Sequence, residues 1–196
     1  MNAGLRVGGT ESFGYFRDLV SYLFCVTIGH KDAGIHLTGI QGGKRATVEG
    51  RYGDGDSSVP LVRLTNNYFL RLVVGVYVDS SSNYMRTSIS DFQYQKDELG
   101  DDWIFRYEYK RDKPNGETKP SAHLHVRGEP TATDVLREGK PLHKVHFPCG
   151  RPTIESTIRL LIDDFGVEPH APETIWRPVL KESEDSFLGV AHKPEV

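Results

Sequence analysis

Five consecutive runs rich in Val, Ile, Tyr, Phe and Thr occupy the middle of the chain, and they limit the fold more than any other feature. Residues of these types are enriched in β-strands. The runs span residues 59–65, 68–79, 85–95, 102–111 and 122–127. Turn-forming sequences separate them, among them Asn-Asn, Asp-Ser-Ser-Ser-Asn, Gly-Asp-Asp and Pro-Asn-Gly. Strands joined by such turns predict an antiparallel meander.

Helical periodicity precedes and follows the predicted sheet. Between residues 11 and 27, apolar side chains recur at three- and four-residue spacing, which predicts an amphipathic helix. These side chains are Phe13, Phe16, Leu19, Val20, Leu23 and Phe24. A second apolar stripe follows the strands and consists of Ile154, Ile158, Leu161, Ile162 and Phe165. Thr153 or Pro152 is expected to begin that helix, and Gly166 with Pro169 to end it.

Three other segments have weaker signals. Glycines divide residues 29–58 into short strand-like runs, with a mobile loop expected at 52–58. Residues 142–147 form a further strand candidate, followed by a turn at 148–152. Residues 174–188 are expected to form a short helix that docks through four apolar side chains. These are Ile175, Trp176, Val179 and Leu180.

Length and element order favour one α+β domain. The chain has 196 residues and a mass of 22.0 kDa, which is room for one domain with appendages. The order helix, strands, helix predicts an antiparallel β-sheet meander with an N-terminal helix and a C-terminal amphipathic helix packed on it. We assign residues 1–166 to this domain, with a helix and glycine-rich region at 1–58 and the sheet and helix core at 59–166. Residues 167–196 are expected to form a proline-containing C-terminal extension.

Composition favours a soluble, cytoplasmic protein. Hydrophobic residues make up 37% and charged residues 26%, which is typical neither of disordered chains nor of membrane proteins. The formal net charge is -3, so nucleic-acid binding requires a local basic patch. The longest apolar run, residues 19–28, is too short to cross a bilayer, and no targeting segment is expected. Cys25 and Cys149 lie far apart and form no disulfide framework, which fits a reducing compartment.

Four of the eight histidines lie in two close pairs, and these pairs are the clearest chemical signal in the chain. In His123-Leu124-His125, alternation along a strand places both imidazoles on one face and Leu124 on the face of the core. In His143-Lys144-Val145-His146, the same alternation places the two rings on opposite faces. A bulge or a strand end is therefore needed for all four histidines to converge.

One interpretation of the histidines is a metal site. Imidazole is the commonest metal ligand, and His-x-His with a nearby carboxylate suits Zn, Mn, Fe or Ni. The run from His123 through His125 to Glu129 resembles the first half of a cupin metal motif. This interpretation predicts a cupin-like divalent-metal-binding protein or metalloenzyme. Its ligands are His123, His125, Glu129 and either His143 or His146.

A second interpretation uses imidazole as general acid and general base in RNA cleavage, without any cofactor. The catalytic residues are then His123, His125, His143 and His146. Cationic side chains flank both pairs and are suited to hold the charge that develops on the phosphate. These side chains are Arg106, Arg127, Lys144 and Arg151.

Two further interpretations involve no catalysis. Strand histidines bonded to neighbouring backbone, beside a solvated face of Lys and Arg, are common on protein surfaces. Alternatively, the sheet and the segment around Trp176 form a partner surface, and the protein is a non-enzymatic interaction module.

The segment from residue 90 to 165 resembles the TumE-like toxins of bacterial toxin–antitoxin systems, small α+β proteins grouped with RelE-like ribonucleases. The resemblance lies in Phe105-Arg106-Tyr107-Glu108-Tyr109 on a strand, then a His-rich stretch, then His146-Phe147-Pro148. A terminal amphipathic helix with the acidic Glu155 near its start completes it. The resemblance implies an endoribonuclease or translation inhibitor that acts on RNA or the ribosome. It also implies neutralisation by a cognate DNA-binding antitoxin, with no metal required.

Overall fold

The computed structural model describes residues 11–53, 59–81, 84–112, 120–127 and 147–191. Over these residues the chain forms three helices and eight strands, and the predicted α+β class is confirmed. The helices are α1 (Glu11–Val26), α2 (Ile154–Asp163) and α3 (Glu173–Ala191). The strands are β1 (Gly34–Gln41), β2 (Arg45–Arg51), β3 (Leu61–Arg63), β4 (Phe69–Val78), β5 (Met85–Gln95), β6 (Trp103–Lys110), β7 (Ala122–Val126) and β8 (Phe147–Pro148).

The strands form one antiparallel sheet in the order β1-β2-β4-β5-β6-β7-β8, and β3 pairs with one end of β4. From β4 to β8, each strand pairs with the next one along the chain, which confirms the predicted meander. β1 and β2 form a hairpin whose turn contains Gly42 and Gly43, with φ angles of 55° and 67°. Glycine adopts such left-handed backbone without steric cost, so these two residues serve the turn.

The two faces of the sheet differ in character. On β4, Leu70, Leu72 and Val74 are buried and belong to one hydrophobic cluster with side chains from all three helices. The helices therefore cover this face, and side chains at alternate positions point to the other face. We call that other side the outer face. On β4 to β7 it includes Arg71, Val73, Asp91, Gln93, Arg106, Glu108, His123 and His125.

Helix α1 covers the predicted segment, but one of its apolar residues turns away from the core. Phe13, Val20 and Phe24 are at most 1% exposed, whereas Leu19 is 37% exposed. The prediction for Leu19 is therefore wrong. A stripe of six apolar residues is wider than the surface that this helix shares with the sheet, so its margin stays in solvent.

Helix α2 begins and ends at the predicted signals. Thr153 is the N-cap, because its hydroxyl accepts a hydrogen bond from the Ser156 backbone N–H at 2.9 Å. Ser156 Oγ in turn accepts a hydrogen bond from the Thr153 N–H, which completes a capping box. Beyond the helix, Gly166 has a φ of 65°, and the Val167 N–H donates to the Leu161 carbonyl at 3.0 Å. This is the glycine-dependent helix end that the sequence predicts.

The segment at 59–65 departs from its prediction. Only Leu61–Arg63 forms a strand, since Pro60 has no N–H to donate to a neighbouring strand. Tyr52 and Val59 exchange two backbone hydrogen bonds, of 3.1 and 2.9 Å. The predicted loop at 52–58 is therefore closed at its base, and residues 54–58 lie outside the described residues. Of the predicted strand at 142–147, only residue 147 is described, within β8.

Helix α3 is longer than predicted and takes part in the core. It has 19 residues, and Trp176 and Leu180 are 2% and 0% exposed. Val167, before the helix, is also buried in the same cluster. Ile175, predicted to dock, is 51% exposed, because neighbouring positions of a helix point in different directions.

The helices and the two cysteines bear on membrane crossing and on thiol chemistry. No helix in the described ranges combines the length and apolar character needed to cross a membrane. Cys25 is exposed and Cys149 is half-buried, and both are free thiols. Burial raises the pKa of the Cys149 thiol, so this thiol is not activated as a nucleophile.

Candidate metal centre

A cluster of ionisable side chains forms on the outer face where β6 and β7 pair. In the register of these strands, Glu108 lies opposite His123, and Arg106 lies opposite His125. Because alternate residues share a face, all four side chains point to the same side of the sheet. Leu124, between the two histidines, packs against the core on the other side, as predicted.

Glu108, His123 and His125 bring three potential ligand atoms together. Glu108 Oε2 lies 2.9 Å from His123 Nε2 and 3.6 Å from His125 Nε2, and all three atoms are within 4.8 Å of one another. For comparison, two ligand atoms that each bind the same ion at about 2.0 to 2.2 Å are roughly 3 to 3.6 Å from each other. His123 and His125 are only 6% and 4% exposed. They are therefore not the partly exposed surface histidines of one sequence interpretation.

The contacts of His123 call for a cation between its ring and Glu108. Nδ1 lies 3.0 Å from the Pro120 carbonyl oxygen, while Nε2 lies 2.9 Å from Glu108 Oε2. Both oxygens are acceptors, and a neutral imidazole carries only one N–H. If Nδ1–H donates to Pro120, the lone pair of Nε2 faces a carboxylate oxygen. The pair is stable only with a proton on Nε2 or with a metal ion between the two atoms.

The surroundings of Glu108 favour its ionised carboxylate form. Burial by itself raises the pKa of Glu108. The positive charges of Arg106, His125 and His123 and the hydrogen bond from His123 outweigh burial, so the pKa lies below its ordinary value. Arg106 Nε lies 2.9 Å from Glu108 Oε1. One carboxylate oxygen thus faces Arg106, and the other faces the two imidazoles.

Two nitrogen donors and one carboxylate oxygen fit a divalent transition-metal ion. This donor set occurs in catalytic zinc sites and in non-haem iron sites, where three protein ligands leave positions open for water or substrate. The Pro120 carbonyl beside His123 Nδ1 is the kind of outer partner that orients a metal-bound imidazole. The residues present therefore fit such an ion.

The structure brings some of the predicted site residues together and separates others. His123, His125 and Arg106 meet in the cluster. Arg127 instead contacts Asp102 at 3.3 Å, at the end of the sheet. Four predicted residues lie outside the described residues, namely Glu129, His143, Lys144 and His146.

Arg151 lies on the covered side of the sheet, away from the histidines. Its guanidinium carbon is 4.8 Å from the centre of the Tyr109 ring and 4.6 Å from that of Phe187 in α3. Tyr109 alternates with Glu108 and so points away from the outer face. Arg151 therefore does not join the cluster as a phosphate-binding residue, and it stacks between two aromatic rings.

Glu155 is also on the covered side, where it connects α2 to α3. It is 6% exposed, and its Oε1 accepts a hydrogen bond from Ser183 Oγ at 2.5 Å. Burial is the largest influence and raises the pKa of Glu155, with the Ser183 hydrogen bond opposing it. Glu155 therefore has a structural role in this contact between helices.

Glu155→Gln should stabilise the protein increasingly as the pH rises. An acidic group whose pKa is higher in the folded than in the unfolded protein makes its full contribution to stability below its unfolded-state pKa. That contribution is lost as the pH rises through its folded-state pKa. Glutamine cannot ionise, so the variant avoids that loss. The loss is about 1.4 kcal/mol for every tenfold difference between the acid dissociation constants of Glu155 in the folded and unfolded states. Urea unfolding of both proteins from acidic to neutral pH measures the difference. A difference between the two proteins that is constant with pH would contradict the assignment.

Glu108 is the site residue that sequence analysis did not identify as a ligand. The cupin-like pattern directed attention to Glu129, which follows the histidines along the chain. The sequence does contain a signal for Glu108, because Glu108 shares a strand face with Arg106 in the run just before the histidine strand. The pairing register of β6 and β7 then places this face beside the two histidines, which forms the site.

Comparisons with known proteins do not supply a function. No protein-family model, no curated protein and no solved structure matches this chain. The resemblance to TumE-like toxins therefore stays a prediction. The geometry of the cluster is the basis for assigning a function.

Proposed function

We propose that this protein binds one divalent transition-metal ion through Glu108 Oε2, His123 Nε2 and His125 Nε2. The observation that carries the proposal is the 2.9 Å contact between His123 Nε2 and Glu108 Oε2, with Nδ1 already at the Pro120 carbonyl. If Nδ1–H donates to Pro120, the Nε2 lone pair and the carboxylate oxygen need a proton or a metal ion between them, and we assign a metal ion to this position. The third donor, His125 Nε2, lies 3.6 Å from the same carboxylate oxygen.

A metal at this position is suited to catalysis. Three protein ligands leave coordination positions for a water molecule or a substrate, as in catalytic rather than structural zinc sites. A metal held by these residues would supply Lewis-acid chemistry, by activating water or polarising a substrate oxygen. Burial of the histidines keeps the donors fixed, and Arg106 forms an ion pair with the second oxygen of Glu108. We therefore place the protein among metalloenzymes or metal-dependent binding proteins.

Metal-independent ribonuclease activity is the second candidate function. The observation in its favour is the contact of Glu108 with His123, since a carboxylate that orients an imidazole is a common general-base arrangement. It ranks second because Arg151, one of its phosphate-binding residues, lies on the covered side of the sheet, and Arg127 is paired with Asp102. RNA, the ribosome and a cognate antitoxin are its proposed partners. A partner surface at Trp176 is not supported, because that side chain is buried.

Metal binding is tested by titrating protein that lacks a polyhistidine tag and has been stripped with a chelator. We expect calorimetry with Zn²⁺ to show saturable binding of one ion per chain. Because only the folded state assembles the site, the melting temperature should rise with metal and fall back when chelator is added.

Absence of saturable binding for Zn²⁺, Mn²⁺, Fe²⁺ and Ni²⁺ would contradict the metal proposal. The second candidate would then be tested by RNA cleavage in the presence of chelator. Loss of cleavage in His125→Ala, with the circular-dichroism spectrum of the folded protein retained, is the result expected for a catalytic histidine.

A further inference from the structure

We propose that the ligand of this metal centre is a small oxyanion, a carboxylate or a phosphate, held jointly by the open metal positions and by Arg106. This inference rests on the proposed metal site and names the class of molecule that the site takes. Arg106 would then determine specificity for the oxyanion.

Arg106 is placed beside the cluster with part of its hydrogen-bonding capacity uncommitted. Its Nε faces Glu108 Oε1 at 2.9 Å, and its guanidinium carbon lies 5.9 Å from the centre of the Trp103 ring. Among the described residues, Glu108 is the carboxylate in ion-pair contact with Arg106, while the charge of Asp91 acts on it from farther away. Since Nε makes that contact, the two terminal amino groups of the fork can serve another acceptor. Such a fork matches the paired oxygens of carboxylates and phosphates.

The position of Arg106 relative to the metal ligands allows one molecule to contact both. The same Glu108 carboxylate faces Arg106 with Oε1 and the imidazoles with Oε2. The fork therefore lies beside one oxygen of the Glu108 carboxylate, and a bound ion would contact the other oxygen. The side chains of Arg106 and Glu108 are 35% and 33% exposed, whereas those of His123 and His125 are 8% and 5% exposed. As far as the described residues extend, a ligand would therefore approach the ion from the side of the glutamate and arginine.

The charge balance of the site also favours an anion. The charges of Arg106 and Glu108 cancel, as do those of Arg71 and Asp91, which pair at 2.9 Å on the neighbouring strands of the outer face. The imidazoles are neutral when they bind a metal. Among the described residues nothing else would then compensate the double positive charge of the ion in this partly buried site, which is costly unless an anion accompanies it. A carboxylate or a phosphate supplies that charge and also fits the arginine fork.

The test uses the full chain loaded with Co²⁺, whose visible absorption changes when a ligand enters its coordination sphere. Acetate and inorganic phosphate are titrated as the two oxyanion probes, and azide as an anion that binds metals without presenting paired oxygens. We expect saturable spectral changes with at least one oxyanion. In Arg106→Gln, oxyanion binding should weaken by at least about tenfold, the usual effect of losing a charge-assisted hydrogen bond. Azide binding should change much less.

Two variants control for charge and for geometry. Arg71→Gln removes the same charge from the neighbouring pair and should leave oxyanion binding within a few-fold of wild type. Arg106→Lys keeps the charge but loses the fork, so it should also weaken oxyanion binding. The relative effects on acetate and phosphate identify which oxyanion the site prefers.

The outcomes separate this inference from the proposal on which it rests. If wild-type protein does not bind Co²⁺, the metal site itself is refuted and the oxyanion inference with it. If Co²⁺ binds but Arg106→Gln weakens azide and oxyanions equally, or weakens neither, the oxyanion inference is wrong and the metal site stands. A selective loss of oxyanion binding supports both.

Discussion

Replacing His125 with alanine should lower the affinity for a divalent metal ion by more than about 100-fold. Even the loss of an outer partner of a metal ligand costs about 10- to 100-fold in affinity, and His125 is proposed as a direct ligand. The same loss is expected for Glu108→Gln, which keeps the size of the side chain but removes the anionic oxygen. Competition with a chromophoric chelator measures the affinity.

A histidine elsewhere in the chain provides the control for this prediction. His36 lies in β1, where its Nδ1 is 3.3 Å from Arg51 Nη1, and it is not part of the cluster. His36→Ala should retain wild-type metal affinity. Because removal of a buried imidazole leaves a cavity, circular dichroism must show that His125→Ala remains folded, with His125→Gln as the less disruptive substitution. Equal affinity in folded His125→Gln, Glu108→Gln and wild type would contradict the proposed ligand set.

Replacing Trp176 with alanine should destabilise the protein by about 3 to 5 kcal/mol, the usual cost of removing a buried aromatic side chain. Trp176 is 2% exposed and packs in the same cluster as the sheet and the other two helices. Urea unfolding at equilibrium measures the change in the free energy of unfolding. An effect of this size is a large share of the stability of a typical domain.

The neighbouring Ile175 is the matched control for Trp176. It is 51% exposed, so Ile175→Ala should change the free energy of unfolding by no more than about 0.5 kcal/mol. Similar small effects for both substitutions would mean that α3 does not stabilise the core. The expected contrast would show that the stretch after residue 166 contributes to folding of the domain.

The elements of the fold that sequence analysis located well are those with strong local signals. β5 begins and ends where its run of strand-forming residues does, and the N-cap of α2 is at Thr153 because the capping chemistry is local. Which residues face the core was less predictable. Leu19 and Ile175 are apolar and have helical spacing, yet both are exposed. Their exposure depends on where the neighbouring elements lie, and local periodicity carries no information on that.

The site was only partly predictable for the same reason. Alternation along one strand places His123 and His125 on a common face, as the sequence indicates. The contribution of Glu108 depends on the register between β6 and β7, and a shift of one residue would move it to the other face. Arg151 follows the histidines in sequence, but the turn before α2 carries it to the covered side of the sheet.

The position of a bound metal ion tests the central claim most directly. Crystals grown with Zn²⁺ and measured at the zinc absorption edge would locate the ion by its anomalous scattering. The account predicts one peak per chain at about 2.0 to 2.2 Å from Glu108 Oε2, His123 Nε2 and His125 Nε2. A zinc peak bound elsewhere, or Zn²⁺-grown crystals with no peak among these three atoms, would contradict it.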